Sequence, residues 1–252
     1  MRFSSNALTI LFFVSHCVPG LAQDYSKDPV LMIHGHTLTE NPTWSSTRAK
    51  LIDDGWPPEY LYYQHFANPV GCNPAHGEAV AESVANILEE TGADKVDLVS
   101  HSMGALDSRY FIKYLCGYLV VRDVVMLAGA NQGTTVACLD QFSCGAASMC
   151  VLPVEDGWMD NPFLSELNAC DMSPGDDIKY TSIYSRFDEI IIPQKNSIIP
   201  GALNHKLESF AEHATILGND EAYQMLKLGL DGGGKNETGP TCDPVNVCSV
   251  PE

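Results

Sequence analysis

The sequence predicts an α/β fold, a mostly parallel sheet with helices on both faces, from three observations. Short apolar runs alternate with helically periodic segments along the whole chain, and strands alternating with helices in this way indicate a parallel sheet covered on both sides. One run passes straight into a helix through a serine. The 252 residues suit one domain with a full core, and neither an internal repeat nor a low-complexity linker divides them.

Residues 29–33 form a short apolar run after a polar leader, ending at His34-Gly35, where glycine permits a sharp turn. This reads as a buried strand running into a loop. Residues 59–63 are a second strand candidate. Residues 77–91 read as a helix, with Val80, Val84, Ile87 and Leu88 at helical spacing and Gly92 as its stop. Residues 95–99 are a third strand, followed by a helix over 102–115 that turns Leu106, Tyr110 and Ile112 inward. Further strands are expected at 121–127 and 178–184. Residues 137–174 break the rhythm with four cysteines, several glycines and only a short helix at 162–168. They read as a disulfide-stapled excursion over one end of the sheet. An amphipathic stretch at 206–211 and a last helix at 220–230 follow, and the tail at 232–252 carries no periodic core signal.

Arg2 precedes the apolar run 8–14, and Gly20 and Ala22 stand at the −3 and −1 positions of a cut after Ala22. That is the layout of a secretory signal peptide over residues 1–22, leaving 23–252 as a secreted, soluble, monomeric single domain. The run is well short of the ~18 residues needed to span a bilayer. Cys17 would leave with the signal, and the eight other cysteines are Cys72, Cys116, Cys138, Cys144, Cys150, Cys170, Cys242 and Cys248. An even number in an exported chain implies disulfides rather than zinc, with connectivity open; Cys242 and Cys248 are near enough to close a small loop on the tail. Asn236-Glu237-Thr238 is a glycosylation sequon in a Gly-rich stretch. The formal charge of −18, from 14 basic and 32 acidic residues, argues against nucleic acid or an anionic membrane as partner and suits an uncharged ester. No metal cluster, phosphate loop or cofactor fingerprint appears.

The segment Val96-Asp97-Leu98-Val99-Ser100-His101-Ser102-Met103-Gly104 places Ser102 on the abrupt turn between a buried strand and a helix. Such a turn holds a hydroxyl above the sheet at a helix N-terminus, where developing negative charge is favoured. The usual pattern is G-x-S-x-G, and Ser100 occupies its first position; the alternative reading of Ser102 is a helix N-cap. A nucleophilic serine needs donors for the oxyanion. The Met103 N–H, which follows the nucleophile, and the His36 N–H, beyond the first strand, are the expected pair. His34 is expected to shape its loop by a hydrogen bond and His101 to be a packing residue.

The chain resembles the class 2 lipases, small secreted enzymes of the α/β-hydrolase fold. The likeness rests on residues 30–35, 95–110, the turn Gly129-Ala130-Asn131-Gln132-Gly133-Thr134, the segment Tyr184-Ser185-Arg186-Phe187-Asp188-Glu189-Ile190-Ile191, and the late Ala211-Glu212-His213-Ala214-Thr215-Ile216-Leu217. Departures are Ser100, Gln132, where the family often has histidine, and a long cysteine-rich excursion. The resemblance implies Asp188 as the acid of a Ser-Asp-His triad, and its place after the strand at 178–184 agrees. Asp107 and Asp123 are poorer candidates, one lying within the helix after Ser102 and the other at the start of a strand. Only His205 and His213 lie downstream of Asp188; His213 matches the family's late histidine, whereas His205 follows a loop segment and reads as exposed. The expectation is a secreted carboxylic ester hydrolase, a lipase or esterase acting on neutral acyl esters such as acylglycerols through an acyl-enzyme. The alternatives are an acyltransferase or a catalytically inactive ligand-binding member of the same fold.

Overall fold

The computed structural model describes residues 27–237 apart from 39 and 141. The expected signal peptide with Cys17, the expected loop between Cys242 and Cys248, and Thr238 of the sequon lie outside the described residues. In chain order the first elements are β1 (Val30–Ile33), α1 (Glu40–Asp53), β2 (Leu61–Tyr63), α2 (Asn73–Thr91), β3 (Val96–His101), α3 (Gly104–Tyr114) and β4 (Val121–Leu127). The excursion then supplies α4 (Cys144–Met149), a two-stranded hairpin of β5 (Pro153–Val154) and β6 (Gly157–Trp158), and α5 (Pro162–Asn168). The chain returns through β7 (Lys179–Tyr184), β8 (Leu203–Lys206) and α6 (Asp220–Leu228).

Six strands pair in parallel in the order β2-β1-β3-β4-β7-β8, an α/β-hydrolase sheet. Successive side chains of a strand point to opposite faces, and both faces here are apolar. Val30 and Met32 pack with Trp44 and Leu51 of α1 and Tyr223 and Leu226 of α6. Leu31 and Ile33 pack with Val80, Val84 and Ile87 of α2 and Ile112 of α3. Burial on both sides explains why the inner strands read as near-continuous apolar runs.

Helix ends follow local chemistry. Pro74 sits in the first turn of α2, where its missing N–H costs nothing. Gly92 closes that helix at φ 67°, donating to the Leu88 carbonyl at 2.9 Å. Asn161 and Asn219 cap α5 and α6 by accepting from Leu164 and Ala222.

The structure departs from the sequence expectation in several elements. α2 starts at Asn73, before the expected 77, and β2 shrinks to three residues behind a 3-10 turn over Pro58–Tyr60. α1 gave no clear periodic signal because, among its described side chains, Trp44, Thr47 and Leu51 make a narrow buried stripe. Leu203 and Asn204, expected in the loop before His205, belong with His205 and Lys206 to edge strand β8, whose half-exposed side chains show no apolar run. α4 is a single short turn-and-a-half of small residues capped by Ser143.

The excursion has its own core of Ala137, Ala146, Met149, Val151, Leu164 and Leu167, set against Met103 and Leu106. Cys72–Cys144 ties α4 to the start of α2, and Cys138–Cys150 closes a loop inside the excursion. Sequence separations of 72 and 12 correspond to roughly 4 and 3 kcal/mol in the chain-entropy account of cross-linking. Cys116 and Cys170 are also disulfide-bonded. Arg109 of α3, fully buried, donates to the carbonyls of Met172 and Asn131 and to Asn168 Oδ1. Lys113, one turn on, donates to the carbonyls of Glu166, Leu167 and Ala169 at the end of α5, where a cation is favoured.

Near the N-terminal ends of the central strands β3 and β4 Asp97 is buried, with Oδ1 accepting the Asp123 N–H at 3.0 Å. Burial, with Asp123 and Asp28 adding repulsion, pushes its carboxyl well above the usual range. Asp123 is likewise pushed up to about 6, chiefly by burial. A carboxyl whose folded value exceeds its unfolded one stabilises the fold fully below the unfolded value of ~3.9, and that contribution is lost as pH rises through the folded value. Asp97→Asn keeps the acceptor and removes the ionisation. The variant should match the parent's melting temperature near pH 4 and exceed it by a margin that widens toward pH 8; a margin independent of pH in thermal melts would refute this assignment.

Candidate functional site

Ser102 lies between the end of β3 and the start of α3 with φ 57°. A non-glycine residue in the left-handed region is strained by ~1–3 kcal/mol and persists only where its surroundings hold it. Here the Ser102 N–H donates to the Leu127 carbonyl at 3.1 Å, and its carbonyl accepts from Ala105 and Ala130, both at 3.2 Å. Two glycines make the space. A Cβ on Gly104 would stand 2.6 Å from the Ile33 carbonyl oxygen, and one on Gly35 would stand 2.6 Å from Ser102 Cβ. Ser100, at the first position of the motif, is fully buried in β3, consistent with a requirement for small size there.

The three residues expected as a triad are brought together. His213 Nε2 lies 2.9 Å from Ser102 Oγ, and its Nδ1 lies 2.9 and 3.1 Å from the two Asp188 oxygens. A carboxylate only accepts, so the ring proton belongs on Nδ1 and Nε2 faces the serine hydroxyl as acceptor. Asp188 Oδ1 also accepts the N–H groups of Ile190 and Ile191, each at 2.8 Å. The carboxylate is therefore held by its own loop as well as by the histidine. All three residues are buried, which strengthens their electrostatic coupling relative to water.

His36 and Met103, the expected oxyanion donors, flank Ser102. Met103 is the N-cap of α3, and His36 follows Gly35, which packs on Ser102. The His36 ring is anchored at its far side. Ser143 Oγ donates to Asp140 Oδ2 at 2.6 Å, so the 2.9 Å contact to His36 Nε2 has the imidazole donating. The same hydroxyl accepts the Ala146 N–H as the cap of α4. Burial pulls the His36 imidazole below its ordinary value, with Asp140 opposing.

A cavity of about 560 Å³ opens beside Ser102 and His213, with Leu38, Val136, Leu139, Met149, Ile190 and Ile191 in its wall. A larger cleft of about 830 Å³ lies next to it, lined by Phe66, Val70, Ala75, His76 and Phe142 among others. It contains none of the triad residues, so the smaller cavity is the candidate acyl site. Apolar walls with few converging polar groups are what an acyl chain requires.

His34 does shape its loop, with Nδ1 3.0 Å from the Gly35 carbonyl oxygen. His205 sits on β8 rather than in a loop, half-buried and paired with Glu221 at 2.9 Å, not with Asp188. Asp107 is buried in α3 against Asn73 and His76, and Asp123 lies near the N-terminal end of β4, away from Ser102. Asn236 is half-buried and its amide donates to the Gly175 carbonyl at 2.6 Å, a bond that a glycan on that nitrogen would have to accommodate. Among the described residues no group of His, Cys, Asp or Glu is placed to hold a metal ion, and no helix is long and apolar enough to cross a membrane. Two contacts had no signal in the sequence. Glu189 accepts the His213 N–H at 3.0 Å, and His101 Nε2 lies 2.9 Å from the His213 carbonyl oxygen.

The family model described as Lipase (class 2) matches residues 27–225. Among solved structures, the mature form of Bacillus licheniformis lipase BlEst2 superposes with a TM-score of 0.65 at 17% identity, covering 81% of this chain and 93% of that one. Aspergillus fumigatus lipase B gives 0.63 at 22% identity over 90% of this chain and 56% of its own. The lin2722 product of Listeria innocua gives 0.57 at 12% identity, over 84% and 97%. At these identities the likenesses bear on the fold.

The Gly35 contact generates a direct test. Gly35→Ala forces its methyl group onto Ser102 and displaces the hydroxyl relative to His213. Turnover of a soluble ester should fall on the order of 10²-fold while the circular dichroism spectrum stays that of the parent. A variant with parental turnover would show that this packing does not set the position of Ser102.

Proposed function

The chain belongs to the class 2 lipase family, a lipase or esterase type of hydrolase, and from that premise we propose that it is a secreted serine hydrolase cleaving uncharged carboxylic esters such as acylglycerols. The observation that carries this reading is the unbroken hydrogen-bond chain Ser102–His213–Asp188 at the mouth of an apolar cavity.

In this reading Ser102 Oγ attacks the ester carbonyl carbon while its proton passes to His213 Nε2. The carbonyl oxygen becomes an oxyanion held by the N–H groups of His36 and Met103. Collapse of the tetrahedral intermediate breaks the bond to the alcohol, which leaves with the proton from His213. Water then attacks the acyl-serine, giving its proton to His213, and the acid departs as Ser102 is restored. Asp188 holds the imidazole in the required tautomer and stabilises the imidazolium.

The apolar wall supports an acyl chain as the bound group, and the charge of −18 supports an uncharged substrate over an anionic one. Disulfides in the described residues support export, with removal of residues 1–22 on the way.

Ser102→Ala should fold and lose on the order of 10⁴-fold in ester turnover, and His213→Ala on the order of 10³-fold or more. His205→Ala, which breaks only the contact to Glu221, should stay within about tenfold of the parent. These values can be read from initial rates on a soluble ester; a loss in the His205 variant as large as that in the His213 variant would reassign the base.

A further inference from the structure

His213 stands in a loop, between β8 and a 3-10 turn over Thr215–Gly218, and loops carry the least intrinsic rigidity of a fold. A base that must meet both a hydroxyl and a carboxylate at hydrogen-bond distance cannot tolerate a loose backbone, because a displacement of about 1 Å can cost ~10²-fold in rate. Its backbone is gripped at both ends. The His213 N–H donates to Glu189 Oε2 at 3.0 Å. The His213 carbonyl lies 2.9 Å from His101 Nε2, and a carbonyl only accepts, so His101 carries its proton on Nε2 and donates.

The two gripping side chains are the sequence neighbours of the other triad members, Glu189 beside Asp188 and His101 beside Ser102. Each thus hangs from the same rigid point as the residue that the imidazole must reach. The His101 ring, fully buried, also lies 4.6 Å from the His213 ring, tilted by 44°. Among the described residues its Nδ1 has no hydrogen-bond partner, so the Nε2 contact is the hydrogen bond seen for this ring. Burial first, then His213, pulls the His101 imidazole down to about 3, so no second positive charge faces the imidazolium that forms during turnover.

We infer that His101 and Glu189 are positioning residues that fix the main chain of His213 through its carbonyl and its N–H, and so aim the imidazole at Ser102. The inference rests on the reading of His213 as the base. Both act as hydrogen-bonding groups rather than as charges, which makes glutamine a discriminating replacement. Gln at 101 can keep an N–H donor, and Gln at 189 keeps a carbonyl acceptor while losing the charge.

The test measures kcat and KM for p-nitrophenyl butyrate in the parent, His101→Leu, His101→Gln, Glu189→Leu and Glu189→Gln. Rates are expressed per active site, titrated to completion with a fluorophosphonate. Both leucine variants should lose about 10- to 100-fold in kcat with KM within about threefold, and both glutamine variants should stay within about threefold of the parent. A purely structural role would lower the number of titrated sites and leave kcat per site unchanged, and that result overturns the inference. Glutamine variants as impaired as the leucine ones overturn it too, since charge or bulk would then be the cause. Glu189 is exposed, so its pair of variants decides the matter if His101→Leu fails to fold. Failure of the underlying reading has a different signature: the parent itself would escape labelling at Ser102.

Discussion

The left-handed backbone of Ser102 is the constraint on which the rest of the structure depends. A serine at φ 57° does not stay there unaided, and every element around it supplies a restraint. The end of β4 accepts its N–H, and the loop beyond β4 and the first turn of α3 bind its carbonyl. The loop after β1 closes on it through Gly35, and Gly104 lets α3 press against the β1 backbone. Of the five non-glycine residues with positive φ among the described residues, Thr37, Ser102 and Ala128 follow β1, β3 and β4, while Cys116 and Cys170 are disulfide-bonded cysteines beyond α3 and α5. Function in open parallel sheets gathers at the carboxyl edge of the strands, and three of these five strained positions lie there.

α3 carries that constraint outward. Its N-terminus bears Ser102 and Met103, while Arg109 and Lys113 bind the excursion. Asp107 on the same helix accepts from Asn73 of α2 at 2.6 Å. The excursion in turn reaches back over the site, because Ser143 at its α4 cap holds the His36 ring. The cavity wall, the loop after β1 and the turn at Ser102 are in this way referred to one helix. The arrangement keeps the groups that meet a substrate on rigid supports even though several belong to loops.

The parts legible in the sequence were those with a local physical signature. β1, β3 and β4 showed as apolar-rich runs because both their faces are buried. Ser102 showed because a strand, a small-residue turn and an amphipathic helix follow one another without a gap. Residues with long-range purposes did not show. His101 was expected only to pack, yet it touches a carbonyl 112 positions away, and Glu189 reaches an N–H 24 positions on; nothing in either neighbourhood marks such a partner. β8 was missed because an edge strand with half-exposed side chains has no apolar pattern. The cap of α4 could have been found from Ser143 before a small-residue run, but a helix of six residues has little periodicity to read.

In the proposed reaction Ser102 carries the acyl group between the two halves. This is tested most directly by rapid mixing of the enzyme with an excess of an activated short-chain ester, quenching in acid within the first turnover, and peptide mass spectrometry. The expected result is one acyl group per enzyme molecule at most, on the peptide containing Ser102 and fragmenting to that residue. An acyl group on another side chain, or ester turnover with no acylated peptide under conditions where deacylation is the slower step, would contradict it.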